Sequence, residues 1–174
     1  MKKIILSVVM VFAFGFVNAQ DKKESNEGGQ TAEGKWLIEV NTGSWTTGNT
    51  SFSLLAVDGG NTAWSVGLEG GYFVVKDLAI KAGLGYSDDG DGYTPFTYKI
   101  GAKYYIVSQF PVGIDFTGIS GDGSNANWIG FQGGYAWFIG DNVSIEPAIR
   151  YNATLDKNKA DNAFQGLIGF VLHF

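Results

Sequence analysis

From Trp36 onward, apolar and polar residues alternate with a period of two. In "KIGAKYYIV", residues 99–107, Ile100, Ala102, Tyr104 and Ile106 fall on one side. Lys99, Gly101, Lys103 and Tyr105 fall on the other. A β-strand sends successive side chains to opposite faces, so this segment has one apolar face and one face of charge and glycine. The same pattern predicts eight strands, at about 35–43, 62–75, 77–87, 94–107, 109–118, 127–139, 142–153 and 163–174. No helical period competes after residue 35. The connections alternate in length. Lys76-Asp77, Ser108-Gln109 and Gly140-Asp141-Asn142 are short. "TGSWTTGNTSFSLLAVDGG", "SDDGDGY", "SGDGSNA" and "LDKNKADNA" are longer and polar. An even number of strands with short turns on one side and long loops on the other predicts an antiparallel up-and-down barrel.

A soluble barrel points its apolar face inward, and a membrane barrel points it at lipid. The other face decides between them. It holds Glu39, Glu69, Lys81, Lys99, Lys103, Asp115, Glu146 and Arg150, four acids and four bases. It also holds nine glycines: Gly67, Gly71, Gly83, Gly85, Gly101, Gly113, Gly130, Gly134 and Gly169. A solvated surface does not need that much glycine, which weakens strands. A narrow interior does, because small residues leave room for long charged ones. Balanced charge also suits an enclosed space, where each ion needs a partner. The reading is an eight-stranded antiparallel transmembrane β-barrel. Aromatics fit it, because they gather at strand ends in two belts. One belt has Trp36, Tyr72, Tyr104, Phe110, Trp137 and Phe174, and the other has Trp64, Tyr86, Phe96, Phe116, Tyr151 and Phe164.

The first 34 residues stand outside this pattern. Lys2 and Lys3 precede an apolar run from Ile4 to Phe16, then Val17-Asn18-Ala19. This reads as a secretory signal peptide, residues 1–19, and implies export to the cell outer membrane. Residues 20–34 are polar and read as a flexible lead into a barrel domain at 35–174. Removing Lys2 and Lys3 leaves 10 of the 12 basic residues against 17 acidic ones, a formal charge of −7. That balance argues against nucleic acid as a partner. The absence of cysteine excludes disulfides and thiolate metal sites.

With the signal peptide, the alternating strands and a last strand carrying Ile168, Phe170, Leu172 and Phe174, the chain resembles small outer-membrane β-barrels. The resemblance is to the OmpX and OmpA-transmembrane-domain type, in the form common among Bacteroidetes-like bacteria. It covers roughly residues 35–174 and rests on pattern. It implies that the terminal aromatic strand is the signal read by the barrel-assembly machinery. It also implies outer-membrane lipid and lipopolysaccharide as surroundings, and a monomer.

Candidate chemistry is sparse. Nucleophile–base catalysis wants a histidine beside a serine. The one histidine, His173, points inward at the rim with no Ser or Thr beside it in sequence. No enzyme and no cofactor are expected. Asp88, Asp89 and Asp91 in "DDGDG" are a lesser candidate for a cation, but the calcium-loop spacing fails. The first long loop, with Trp45, Phe52, Leu54 and Leu55, is the candidate for surface contact with an unidentified ligand. Extension of the wall by the same residues is an equal reading. Pro147 on the apolar face predicts a bulge, a local distortion or a misassigned phase. The leading functional expectation is a barrel filled by side chains, serving envelope integrity or surface contact. A narrow channel is the alternative. A soluble lipocalin-like carrier of an apolar ligand is the second alternative.

Overall fold

The computed structural model describes residues 29–42, 47, 50–56, 62–121 and 124–174. The signal-peptide reading, residues 20–28 and Trp45 lie outside them. Ten antiparallel strands form one sheet. They are β1 (Trp36–Asn41), β2 (Ser53–Ala56), β3 (Thr62–Val75), β4 (Leu78–Asp88) and β5 (Phe96–Ile106). They continue with β6 (Phe110–Gly121), β7 (Ser124–Gly134), β8 (Trp137–Gly140), β9 (Val143–Thr154) and β10 (Ala163–His173). β1 pairs with both β10 and β3, which closes the sheet. β1 and β2 are two pieces of one stave, as are β7 and β8, so the barrel has eight staves.

Alternation sets the two faces as expected. Along β10, Phe164, Ile168, Phe170 and Leu172 are exposed, while Leu167, Val171 and His173 are buried. Eleven residues is the length a tilted strand needs to cross a bilayer. The outer surface carries Val66, Leu68, Ile80, Leu84, Ile100, Ile114, Ile149 and Phe131, all exposed. No described inward position is needed to hide them, because the lumen is filled by other groups.

Three details depart from the sequence expectation. The first stave is interrupted. Glu39 faces Glu69 and Ser53 faces Ser65, so fourteen residues on one side accompany four on the other. β2 itself falls in a stretch read as loop. Residues 29–34, read as the end of a flexible lead, are ordered. A short 3-10 helix, Gly29–Thr31, sits under the short-turn end of the barrel. Thr31 Oγ1 donates to Asp77 Oδ1 at 2.5 Å, and the Asp77 N–H donates to Thr31 O at 2.8 Å. Gly34 N–H donates to Phe73 O at 2.9 Å. The alternating pattern could not reveal this cap, because its bonds run from a polar, non-periodic segment to a turn.

Pro147 lies outward, so its phase is as expected. Gly134 faces Ala148 and Trp137 faces Ile145 in one continuous register, so no residue is inserted. Instead the ladder lapses at Tyr135 and Ala136. Tyr135 N–H still donates to Pro147 O at 3.1 Å, but proline has no N–H to return. Ala136 N–H faces the other neighbour and donates to Gln109 O at 2.8 Å.

Candidate functional site

The lumen is where the charges gather. Glu39, Glu69 and Glu146 share three lysines at the middle and short-turn part of the barrel. Lys81 Nζ lies 2.5 Å from Glu39 Oε2 and 2.8 Å from Glu69 Oε2. Lys103 Nζ lies 2.8 Å from Glu39 Oε2 and 2.5 Å from Glu146 Oε2. Lys99 Nζ lies 2.5 Å from Glu69 Oε1. Towards the long-loop end, Arg150 grips Asp115 with both terminal nitrogens, at 2.5 and 2.6 Å. This fork is the strong form of the Arg–carboxylate pair. Arg150 Nε also donates to Asn152 Oδ1 at 2.8 Å, and Thr117 Oγ1 donates to Asp115 Oδ1 at 2.7 Å. All eight charges named from the sequence thus meet inside, in clusters that are each neutral.

The sequence builds this geometry through register. Glu39 and Glu69 face one another across β1 and β3. Like charges directly opposite repel. Lys81, one stave further on, bridges both. Lys81 itself faces Gly71 on one side and Gly101 on the other. Asp115 faces Gly101 and Gly130, Lys103 faces Gly113, Lys99 faces Gly83, and Glu146 faces Gly169. A long charged chain beside a glycine can lie flat across its neighbour. At Gly130 a Cβ would run into Arg150 Nη2, so no larger residue fits under the guanidinium.

Below the ions is an apolar layer that charge counting missed. Leu37, Phe73, Ala79, Tyr105, Ala136 and Val171 are buried together, with Phe138 against them. Tyr105 joins the layers by donating its hydroxyl to Glu146 Oε1 at 2.8 Å. The signal was legible as inward apolar residues near the short turns. A narrow space of ≈ 20 Å³ lies among Glu69, Lys99, Gly101, Gly113, Gln132 and Arg150. That is room for about one water. A carrier of an apolar ligand needs an apolar cavity, and the lumen holds four acids and four bases instead.

His173 has a serine neighbour that sequence adjacency could not show. Ser144 Oγ lies 3.1 Å from His173 Nε2 and donates to Glu146 Oε1 at 2.9 Å. Glu146 thus engages the serine hydroxyl that lies beside the imidazole. His173 Nδ1, which an orienting carboxylate would hold, has no partner. Both side chains are fully buried.

In the acidic loop two of the carboxylates turn to their own backbone. Asp89 Oδ1 accepts from the N–H of Asp91 at 2.9 Å and of Tyr93 at 3.0 Å, and Asp88 Oδ1 accepts from Gly90 N–H at 2.8 Å. These are carboxylates capping their own turn. No group of three metal-ligating side chains occurs among the described residues. In the candidate contact loop, Phe52 and Leu54 are exposed, and Leu54 faces Trp64 in the β2–β3 ladder. Leu54 stands in a strand of the wall, and Phe52 immediately precedes that strand. The Leu55 side chain lies outside the described set. Ile168, Phe170, Leu172 and Phe174 form an exposed row on the outer face.

No family model and no curated protein matches the chain. Solved structures do. The N-terminal β-barrel domain of Pseudomonas aeruginosa OprF is similar at 12% identity and a TM-score of 0.54. The match covers 82% of this chain and 98% of that one. Neisserial surface protein A matches at 13% identity and a TM-score of 0.48, covering 80% and 96% of the two chains. The outer membrane protein AlkL, solved in DMPC bilayers, matches at 14% and 0.40, covering 88% and 93%. At these identities the likeness to the OprF domain shows the fold, an eight-stranded antiparallel barrel.

Proposed function

We propose that this chain is an exported outer-membrane barrel that crosses the lipid with its apolar face outward and carries no open pore. It contributes to envelope integrity or surface contact and performs no catalysis. One observation supports this most. The described part of the lumen is occupied by paired ions above an apolar layer. A permeating ion would have to break buried pairs that already satisfy each other. The outward row Ile168, Phe170, Leu172 and Phe174 serves as the assembly signal, and lipid and lipopolysaccharide surround the monomer.

The test is planar-bilayer recording of the full chain folded into detergent. No stable unit conductance is expected. A persistent open level that responds to Lys99→Gln or Glu69→Gln would refute the filled-barrel reading and favour the narrow channel.

A further inference from the structure

The lysine cluster and the Arg150–Asp115 pair meet at the ≈ 20 Å³ hollow, where the wall is Gly101 and Gly113. Four cations line it, Lys81, Lys99, Lys103 and Arg150, against two acids, Glu69 and Asp115. Both acids are already well supplied with donors. Glu69 Oε1 accepts from Asn41 at 3.1 Å and from Thr50 and Lys99 at 2.5 Å, and its Oε2 lies 2.8 Å from Lys81 Nζ. Asp115 lies in the Arg150 fork and also accepts from Thr117. The cations are not used up in the same way. An ammonium carries three N–H donors. Lys81 reaches Glu39 and Glu69, Lys103 reaches Glu39 and Glu146, and Lys99 reaches Glu69 and Thr50. With two acceptors each, every lysine keeps one N–H to spare among the described residues. The Gln132 amide, another donor, lines the same hollow and makes no hydrogen bond among the described residues.

We infer that this donor-rich hollow among Lys81, Lys99, Lys103, Arg150 and Gln132 is a binding site for one small inorganic anion of the halide class. Size sets the class. The space has room for about one water, so a single-atom ion fits and a phosphate, sulfate or carboxylate does not. Charge favours an anion over water. The lining has two cations in excess, four against two, and charged donors in a site of low dielectric bind an ionised acceptor more strongly than a neutral one. The ion would tie β4, β5, β7 and β9 together, since Lys81, Lys99 and Lys103, Gln132 and Arg150 stand on those strands. A ligand bound only by the folded barrel stabilises it by mass action. The site rests on the reading of a filled lumen, to which it adds a resident ion.

The test is urea unfolding of the full chain in phosphatidylcholine vesicles, with sodium chloride or bromide replacing sodium gluconate at constant ionic strength. A saturating rise in stability is expected, about tenfold in the unfolding equilibrium constant when the halide stands at ten times its dissociation constant. No difference between gluconate and halide, or a rise that never saturates, would overturn the site. Two variants locate the response. Gly113→Ala puts a methyl at the edge of the hollow, and its Cβ meets only Ala102 O at 3.4 Å and Gln132 Cβ at 3.8 Å, so the barrel accommodates it. Gln132→Leu removes the neutral donor. Either change is expected to reduce the halide response about tenfold or more in affinity, while Gly70→Ala, whose Cβ meets nothing within 4 Å, retains it. A folded G113A or Q132L barrel, judged by its heat-dependent gel shift, that responds like the parent would also overturn the inference. If neither variant folds, the saturation curve of the parent decides. The filled-barrel reading fails separately. A stable conductance with a saturating halide response sinks that reading alone, and a silent barrel indifferent to halide sinks the anion site alone.

Discussion

Replacing Lys103 by methionine isolates the energetics of the lumen. The lysine is 3% exposed at its side chain and holds Glu39 and Glu146 at 2.8 and 2.5 Å. Without it, Glu39, Glu69 and Glu146 face only Lys81 and Lys99, so one buried negative charge is uncompensated. Breaking a buried pair in this way costs about 3–5 kcal/mol. Glu146 keeps hydrogen bonds from Tyr105 and Ser144, which places the expected loss near the lower end. Glu146→Gln alone leaves one excess positive charge and is also destabilising. The double variant K103M/E146Q restores neutrality, so it is expected to recover most of the loss, giving a coupling of about 2–3 kcal/mol. Lys81→Met should cost less than K103M, because Glu39 and Glu69 each retain another lysine. The assay is equilibrium urea unfolding of the vesicle-inserted barrel, followed by tryptophan fluorescence and gel mobility. Strict additivity of K103M and E146Q, or a K103M loss below about 0.5 kcal/mol, would refute the argument, since it would place the ions in a solvated setting.

Three further perturbations probe other parts of the structure. Gly130→Ala drives a Cβ into the Arg150 guanidinium and should cost about 3 kcal/mol in the same assay, whereas Gly133→Ala, with nothing within 4 Å, should stay within about 0.5 kcal/mol. Val107 and Ser108 sit at φ 47 and 59 in a short turn, and a β-branched residue is strained there. Val107→Asn should therefore raise stability by about 1 kcal/mol, read as a higher urea midpoint. Thr31→Val removes the buried hydrogen bond to Asp77 and should cost about 1.5–3 kcal/mol locally, read as faster proteolysis of the N-terminal segment with the barrel intact.

The walls were legible because alternation is a local signal. The phase of β5 placed Lys99 and Lys103 inside and Ile100 and Tyr104 outside, and the structure has them there. The eight lumenal charges were legible for the same reason, but their partners were not. That Lys81 bridges two opposed glutamates depends on the β1–β3 closure, which joins residues thirty apart in sequence. Ser144 next to His173 depends on the β9–β10 register. The burial of Thr47, Thr50 and Ser51 was hidden for another reason. Thr47, Thr50 and Ser51 belong to a polar, glycine-containing stretch with no period, and such stretches read as solvated loop. The N-terminal cap at Thr31 escaped in the same way. In both places hydrogen bonds, rather than buried apolar area, hold the chain, and hydropathy carries no trace of them.

The central claim is that the apolar face meets lipid and the charged face does not. It is tested most directly with two single-tryptophan variants folded into vesicles containing brominated acyl chains. Trp137 lies outward, 62% exposed, and Trp128 lies inward, 1% exposed. Strong quenching of Trp137 fluorescence with Trp128 spared is the expected result. Quenching of neither residue, with the protein remaining in solution, or quenching of Trp128 over Trp137, would contradict it.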